Sequence, residues 1–359
     1  MRIALLTYST KPRGGVVHTL ALAEALTRQG SDVTVWTLGR HGDAAFFRPV
    51  DPTVTVQVVP FAHVDDETVG ERILRSIETM RAAFTAEAYD IVHAQDCISA
   101  NAVGRCVRTI HHLDQFTTPA LAACHERAIV DPYARICVSA AVAAEVSAGW
   151  GLDCAVIPNG VDAARFEEAR EDTERRRRWA DVLGEYVLAV GGIEPRKGSI
   201  DLVESFALLV KEQPDLRLVF AGGETLFDYR GYRDEFDRRA AELGVTPTIL
   251  GTIDDAELPA LVAQARSFAF LSTKEGFGLA AMEALAAGVP VVARDLPVLR
   301  EVFRGTVRYA STHEEMARAL TEPADGASLD EGRAFARSHR WDDVAQKHLE
   351  FYREVAAHR

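Results

Sequence analysis

The stretch 1-MRIALLTYSTKPRGGVVHTLALAEALTRQGSDVTVWTL-38 reads as strand, loop, helix and strand. Ile3 to Thr7 is a short, almost wholly apolar run of strand length, and 10-TKPRGG-15 is a loop. The segment 16-VVHTLALAEALTRQ-29 carries apolar residues at helical spacing and stops at Gly30. A second β-rich run, 33-VTVWTL-38, follows. This β-α-β unit implies a parallel sheet covered by helices, and the same alternation recurs along the chain.

Further strands are expected at 54-VTVQVV-59, 90-DIVHA-94, 107-VRTIH-111, 135-RICVS-139 and 154-CAVIP-158, with helices at 69–87, 97–105, 118–127 and 140–148. After 157-IPNGVD-162 the chain is polar and charged to residue 181, which reads as a hinge over 158–182. A second series then begins. Its strands are expected at 186-YVLAVG-191, 216-LRLVFAG-222, 247-PTIL-250, 267-SFAFLS-272, 289-VPVVA-293 and 306-TVRY-309, and its helices at 199–212, 230–243, 255–265, 278–287 and 313–321. Two doubly wound α/β domains in series fit a chain of 359 residues. The last helix, 341-WDDVAQKHLEFYREV-355, puts Trp341, Val344, His348, Phe351, Tyr352 and Val355 on one side, so it needs a docking partner.

A net charge of −13 disfavours nucleic acid as a partner, because phosphate backbones are held by clustered Lys and Arg. The run 175-RRRR-178 lies among acids and reads as a solvated helix face. Five cysteines with no Cys-x-x-Cys give neither a disulfide framework nor a zinc knuckle, so a reducing cytoplasm fits best. The first ten residues are unlike a signal peptide, and no apolar stretch has the length of a membrane span.

In open α/β sheets, ligands bind where the carboxyl ends of strands meet helix N-termini. Three glycine loops occupy such places: Gly14-Gly15, 191-GGIEPRKG-198 and Gly276-Phe277-Gly278. Arg196 and Lys197 in the second could neutralise a diphosphate, though a glycine turn with surface charges reads equally well there. In 275-EGFGLAAME-283, Glu275 falls in the turn and Glu283 more than one helical turn further on. Carboxylates accept hydrogen bonds from sugar hydroxyls, and a helix N-terminus favours an anion, so the pair suits a nucleotide sugar. Glu283 lies among Ala280, Ala281, Ala284, Leu285 and Ala287, where a lone acid is costly.

The glutamate spacing within 274-KEGFGLAAMEALAAGVPVVA-293 resembles that of the retaining glycosyltransferases of family 4. The resemblance runs through the Gly14-Gly15 loop, 93-HAQD-96, 109-TIH-111, 138-VS-139, 157-IPNGVD-162, the 191–198 loop and the helix from Trp341. It implies the GT-B fold: two doubly wound Rossmann-like domains facing each other across a cleft, with the C-terminal helix crossing back to the first. The N-terminal acceptor-binding domain would be 1–163 plus 340–359, and the nucleotide-sugar-binding domain 164–339.

By the same resemblance Glu275 binds donor-sugar hydroxyls, the backbone N–H groups of Phe277, Gly278 and Leu279 approach the sugar and diphosphate, and Glu283 holds the ribose. Lys197 takes the diphosphate, with Gly192, Arg196 and Gly276 completing the donor site. Gly14 and Gly15 approach the phosphates from the first domain, and His111 sits at the reacting centre, with His112 a competing assignment. His93 and Asp96 are expected on the acceptor side with His112. The family usually has Arg where this chain has Gly192, so either Arg196 replaces that contact or the site has lost charge.

The expected activity is hexosyl transfer with retention from a UDP- or GDP-sugar to a small-molecule, glycan or lipid acceptor. No cofactor and no metal are expected, since no Asp-x-Asp triplet occurs. A nucleotide-sugar 2-epimerase of the same fold and a degenerate nucleotide-sugar-binding protein are the alternatives. A dehydrogenase is disfavoured because no Gly-x-Gly-x-x-Gly follows the first strand. The segment 61–80 and the loop 111-HHLDQFTTP-119 are expected to line the acceptor side. The acidic 65-DDE-67 argues against an anionic-lipid surface, while peripheral membrane contact stays open.

Overall fold

The computed structural model describes every residue except His41, Gln115, Thr117, 224–228 and 358–359. Two positions of the expected acceptor loop, Gln115 and Thr117, therefore lie outside the described residues.

In chain order the first half runs β1 (Arg2–Leu6), α1 (Gly14–Arg28), β2 (Asp32–Arg40), β3 (Thr55–Phe61), α2 (Val69–Ala83), β4 (Ile91–Ala94), α3 (Cys97–Val103), β5 (Val107–Ile110), α4 (Pro119–Val130), β6 (Ala134–Cys137), α5 (Ala140–Trp150) and β7 (Ala155–Val156). The second half opens on α6 (Ala163–Glu171) and α7 (Thr173–Leu183). It continues with β8 (Tyr186–Val190), α8 (Ser199–Ala207), β9 (Arg217–Ala221), α9 (Arg230–Glu242), β10 (Thr248–Gly251), α10 (Leu258–Gln264), β11 (Ser267–Phe270), α11 (Leu279–Ala286), β12 (Val291–Arg294), α12 (Pro297–Phe303), β13 (Arg308–Ala310), α13 (His313–Thr321) and α14 (Gly326–Arg337). α15 (Trp341–Ala357) closes the chain.

These elements form two compact units: Met1–Gly160 with Arg340–Arg359, and Val161–His339. The first changeover thus falls three residues before the one expected at 163. Unit 1 is a seven-stranded sheet in the order β3-β2-β1-β4-β5-β6-β7, and unit 2 a six-stranded sheet in the order β10-β9-β8-β11-β12-β13. All strand pairs are parallel. Ile3, Ala4, Leu5 and Leu6 are wholly buried, as strands covered on both faces must be. In each sheet the strand order reverses at one place, between β1 and β4 in unit 1 and between β8 and β11 in unit 2. Those are the switch points at which an open sheet leaves a crevice for a ligand.

The region expected to be a hinge is instead two helices of unit 2. α6 buries Ala163 and Phe166, packs on α10 and α11, and α7 packs on α10. Few apolar residues are needed for so narrow a buried stripe, so the segment looks polar in sequence. Arg175, Arg177 and Arg178 of α7 are exposed, as a solvated face requires. α14 went unforeseen for a similar reason, with just Gly332 and Ala336 buried, and α12 because its seven residues span only two turns.

α15 docks on α1 within unit 1. Its Trp341 covers Gly160, where an added Cβ would stand 2.8 Å from the indole. Arg28 forms an ion pair with Asp342 at 2.6 Å, and Gln29 donates to the Asp342 carbonyl at 2.6 Å. Trp341, Val344, Ala345, His348, Leu349 and Tyr352 are buried there. Among the described residues no helix is long and apolar enough to cross a membrane, and the five cysteines are free.

Candidate active site

In unit 2 the loops after β8 and β11 converge. Gly191, Gly192, Lys197, Ser199, Phe270 and Ser272 line one concavity at the carboxyl ends of these strands. The Glu275 Oε1 atom accepts from Lys197 Nζ at 2.6 Å, from Ser272 Oγ at 2.9 Å and from Arg196 Nη1 at 3.0 Å. Arg196 also donates to Glu194 Oε1 at 3.1 Å and to the Lys274 carbonyl. Lys197 is further placed by Phe270, whose ring lies 5.3 Å from the ammonium. Arg196 and Lys197 are thus balanced against Glu194 and Glu275, a compact cluster without net charge.

α11 begins directly after this cluster. Its N-cap, Gly278, has φ +103°, a conformation that side chains rarely tolerate, and an added Cβ would meet Phe270 and Phe303 at 3.0 Å. No side chain caps the helix, so its first N–H groups, beginning at Leu279, face the strand ends without a capping acceptor. Gly276 and Phe277 are buried, with Phe277 edge-on to His339 at 6.1 Å between centroids. The turn therefore rests on a rigid base.

Glu283, on the second turn of α11, is half-buried, and burial pushes its carboxyl up to about 7. Arg165 opposes that shift, while Asp255 and Asp162 add to it. Arg165 in turn pairs with Asp255 at 2.8 Å. Arg165 is the neighbour the sequence did not disclose: it comes from the segment taken for a hinge, and no local spacing links it to α11.

The residues expected in unit 1 separate into two groups. His111 follows β5, and the Cβ of any residue replacing Gly15 would lie 3.7 Å from its ring, so the α1 loop and His111 are neighbours. Gly14 is the exposed first residue of α1. His111 Nε2 lies 3.3 Å from Gln95 Oε1, and its ring stands edge-on to His18 at 4.8 Å. Burial first, with the Arg108 charge acting in the same direction, holds its pKa well below the ordinary value, so the ring is neutral at pH 7. His112 is half-buried with Nε2 3.2 Å from Asp114 Oδ1.

His93 and Asp96, expected on the acceptor side, both spend polar atoms on bonds within unit 1. His93 is fully buried, with Nδ1 2.6 Å from the Tyr352 hydroxyl and Nε2 2.7 Å from Thr109 Oγ1. Both ring nitrogens are committed to joining β4, β5 and α15. Asp96 is the N-cap of α3 and accepts from Ser99 N at 2.7 Å, Ser99 Oγ at 2.9 Å and Tyr8 N at 2.9 Å. It thereby ties the loop after β1 to the start of α3. Behind them His18, bonded to Asn159 Oδ1 at 2.9 Å, and His348 complete a buried histidine cluster under Trp341. Burial brings His18 down to about 3 and His348 to about 4, so the cluster is uncharged.

Two parallel doubly wound sheets with glycine loops at their switch points define the α/β class to which GT-B glycosyltransferases belong. Residues 171–347 match the model of the family described as glycosyl transferases group 1, and residues 12–165 that of glycosyltransferase family 4. The chain belongs to the family 4 glycosyltransferases. It is 28% identical to the phosphatidyl-myo-inositol mannosyltransferase of Mycolicibacterium smegmatis, with 99% of this chain aligned to 94% of that protein. It is also 28% identical to the D-inositol 3-phosphate glycosyltransferase of Pseudarthrobacter chlorophenolicus, with 98% of this chain aligned to 94% of the relative. Among solved structures, Anabaena HepE in complex with UDP and glucose superposes with a TM-score of 0.74 at 19% identity, covering 99% of this chain and 100% of HepE. The fold is therefore shared, and the enzyme is a glycosyltransferase. The epimerase alternative finds no support in these comparisons.

Proposed function

We propose that the protein transfers a hexosyl group from a nucleoside-diphosphate sugar to an acceptor hydroxyl with retention of configuration and without a divalent metal. The observation that carries this reading is Glu275, gripped by Lys197, Arg196 and Ser272 beside the uncapped N-terminus of α11. Glu275 accepts from sugar hydroxyls, Glu283 accepts from the ribose, and Lys197 with the Phe277, Gly278 and Leu279 N–H groups receives the diphosphate. UDP- and GDP-sugars are the expected donors, and a cytoplasmic location fits the reading.

In the reaction the bond from the anomeric carbon to the β-phosphate oxygen breaks and a bond to the acceptor oxygen forms on the same face. The acceptor proton passes to the departing phosphate oxygen. Negative charge grows on that oxygen, where Lys197, the Arg196 guanidinium and the helix N-terminus oppose it. His111 lies at the reacting centre, and its neutrality matters because an imidazolium would repel an oxocarbenium-like sugar. The two inositol-named relatives support a polyol as the acceptor.

A thermal-shift panel of UDP-, GDP-, ADP- and TDP-sugars in chelator tests the donor assignment, since a ligand that binds the folded state raises the midpoint. One nucleotide is expected to stabilise the protein. Stabilisation that appears only with added Mg²⁺ or Mn²⁺ contradicts metal independence.

A further inference from the structure

Gln95 follows β4 directly at the switch point of unit 1, and its backbone N–H donates to the Leu6 carbonyl at the end of β1. Its side chain is 2% exposed and makes a single hydrogen bond among the described residues, with Oε1 3.3 Å from His111 Nε2. The other end of the carboxamide, Nε2, is buried and has no partner. A residue kept for the fold would have both ends satisfied, because burying an amide donor without an acceptor costs stability. His93 shows that structural pattern, with both ring nitrogens bonded, at 2.6 and 2.7 Å. An apolar side chain of equal length at position 95 would leave nothing orphaned.

What the glutamine supplies instead is direction. A carboxamide oxygen only accepts, so Nε2 of His111 is the nitrogen that donates, and the proton of the neutral ring sits there. Nδ1 then carries the lone pair, and no described residue bonds to it. The Nε2–Cδ2 edge is turned toward Gly15, since a Cβ at that position would stand 3.7 Å from both atoms. His18, edge-on at 4.8 Å and itself held by Asn159 at 2.9 Å, also packs on the ring. None of the titratable groups that act on the ring, Arg108, His18, His112 and His93, favours its charged form. The free nitrogen of His111 is therefore a hydrogen-bond acceptor of fixed direction, suited to a hydroxyl.

We propose that Gln95 is a positioning residue for the transfer, holding the His111 proton on Nε2 so that Nδ1 meets a substrate hydroxyl as an acceptor. This rests on the reading of His111 at the reacting centre. Gln95 acts through His111, and its orphaned Nε2 is the stability given up for that orientation.

Gln95→Met keeps the length of the side chain and removes both polar ends. Its thermal midpoint is expected to equal or exceed that of wild type, while kcat falls about tenfold and the donor KM is unchanged. A lower midpoint with kcat unchanged shows a structural role and overturns the proposal. Gln95→Glu places a carboxylate against Nε2 and favours a second proton on the ring. A charged ring cannot accept at Nδ1, so the acid limb of kcat should move to higher pH by about one to three units. An unmoved limb overturns the proposal. Long-range proton–nitrogen correlation spectra of His111 read the tautomer without turnover: wild type should carry the proton on Nε2, and Gln95→Met should show a mixture. A proton on Nδ1 in wild type, or an unchanged tautomer in Gln95→Met, overturns the proposal. If His111→Ala turns over at the wild-type rate, or no donor is consumed at all, the reading of the reacting centre fails instead, and the tautomer alone decides for or against Gln95.

Discussion

The two switch points of this molecule solve the same problem with opposite electrostatics. In unit 2 the site is a knot of ionised groups on loops, Lys197 and Arg196 against Glu275 and Glu194, resting on Gly278 and the start of α11. In unit 1 the corresponding end of the sheet holds His111 over a buried, uncharged set of histidines, with formal charge displaced to the arginines around Tyr8. On the function proposed above, the difference is a division of labour. A leaving diphosphate needs paired charge that can be redirected to it, whereas a sugar cation in transit is best faced by neutral, fixed polar groups. The first kind of site is built from neighbours in sequence. The second is assembled from strands and a terminal helix that lie far apart in the chain.

Removing the support of the neutral site alone gives the largest effect. Trp341→Ala deletes the indole that seals Gly160 and His18 and is expected to cost unit 1 about 3–5 kcal/mol. Denaturation followed by circular dichroism should show an earlier transition, while nucleotide still binds through unit 2. An unchanged transition breaks the account of how α15 is held. On the charged side, Glu275→Gln leaves Lys197 and Arg196 without their shared carboxylate and takes a hydrogen-bond acceptor from the donor sugar. The expected outcome is a kcat lower by about 10²–10³, with a smaller change in donor KM. A kcat within tenfold of wild type would displace Glu275 from the sugar.

Glu283→Gln is expected to act on binding, raising the donor KM by about 10–100-fold. The wild-type enzyme should also show a pH signature. Its free carboxyl sits near 7 through burial, and hydroxyl donors favour the ionised form, so nucleotide binding expels a proton. Affinity should therefore rise with pH through about 7 in wild type and stay flat in the glutamine variant. Proton uptake on binding, read by calorimetry in buffers of different ionisation enthalpy, would contradict the assignment. The smallest effect concerns the loop itself. Because Arg196 is already spread over Glu275, Glu194 and the Lys274 carbonyl, Gly192→Arg should restore a positive excess and tighten donor binding about two- to fivefold. Weaker binding would show that Arg196 swings to the diphosphate unaided.

What could be read from the sequence follows the same contrast. Glu275 and Lys197 announce themselves because glycine punctuation, strand ends and a small-residue helix lie within a few positions of them. His93 hides its bonds for the converse reason. In 93-HAQD-96 it looks like a polar site residue, yet its partners Thr109 and Tyr352 are 16 and 259 positions away, and only the folded sheet brings them together. Asp96 has the residue type of a site carboxylate, but a Ser three positions on is equally the mark of an N-cap. Arg165 was hidden inside α6, whose buried stripe is just Ala163 and Phe166, too thin to separate a docked helix from a linker. The strands themselves were legible because buried parallel strands have little sequence freedom. The last turns of helices were not: 69–87 reads as one helix, but α2 stops at Ala83 with Phe84 turned to extended backbone as its C-cap.

The most direct measurement of the central claim follows the anomeric protons by NMR while the enzyme consumes an α-linked UDP- or GDP-hexose in excess chelator, with a polyol as acceptor. The account predicts release of nucleoside diphosphate and first formation of the α-linked product, with both lost in Glu275→Gln. First formation of the β-linked product, or turnover that stops when divalent ions are removed, would contradict it.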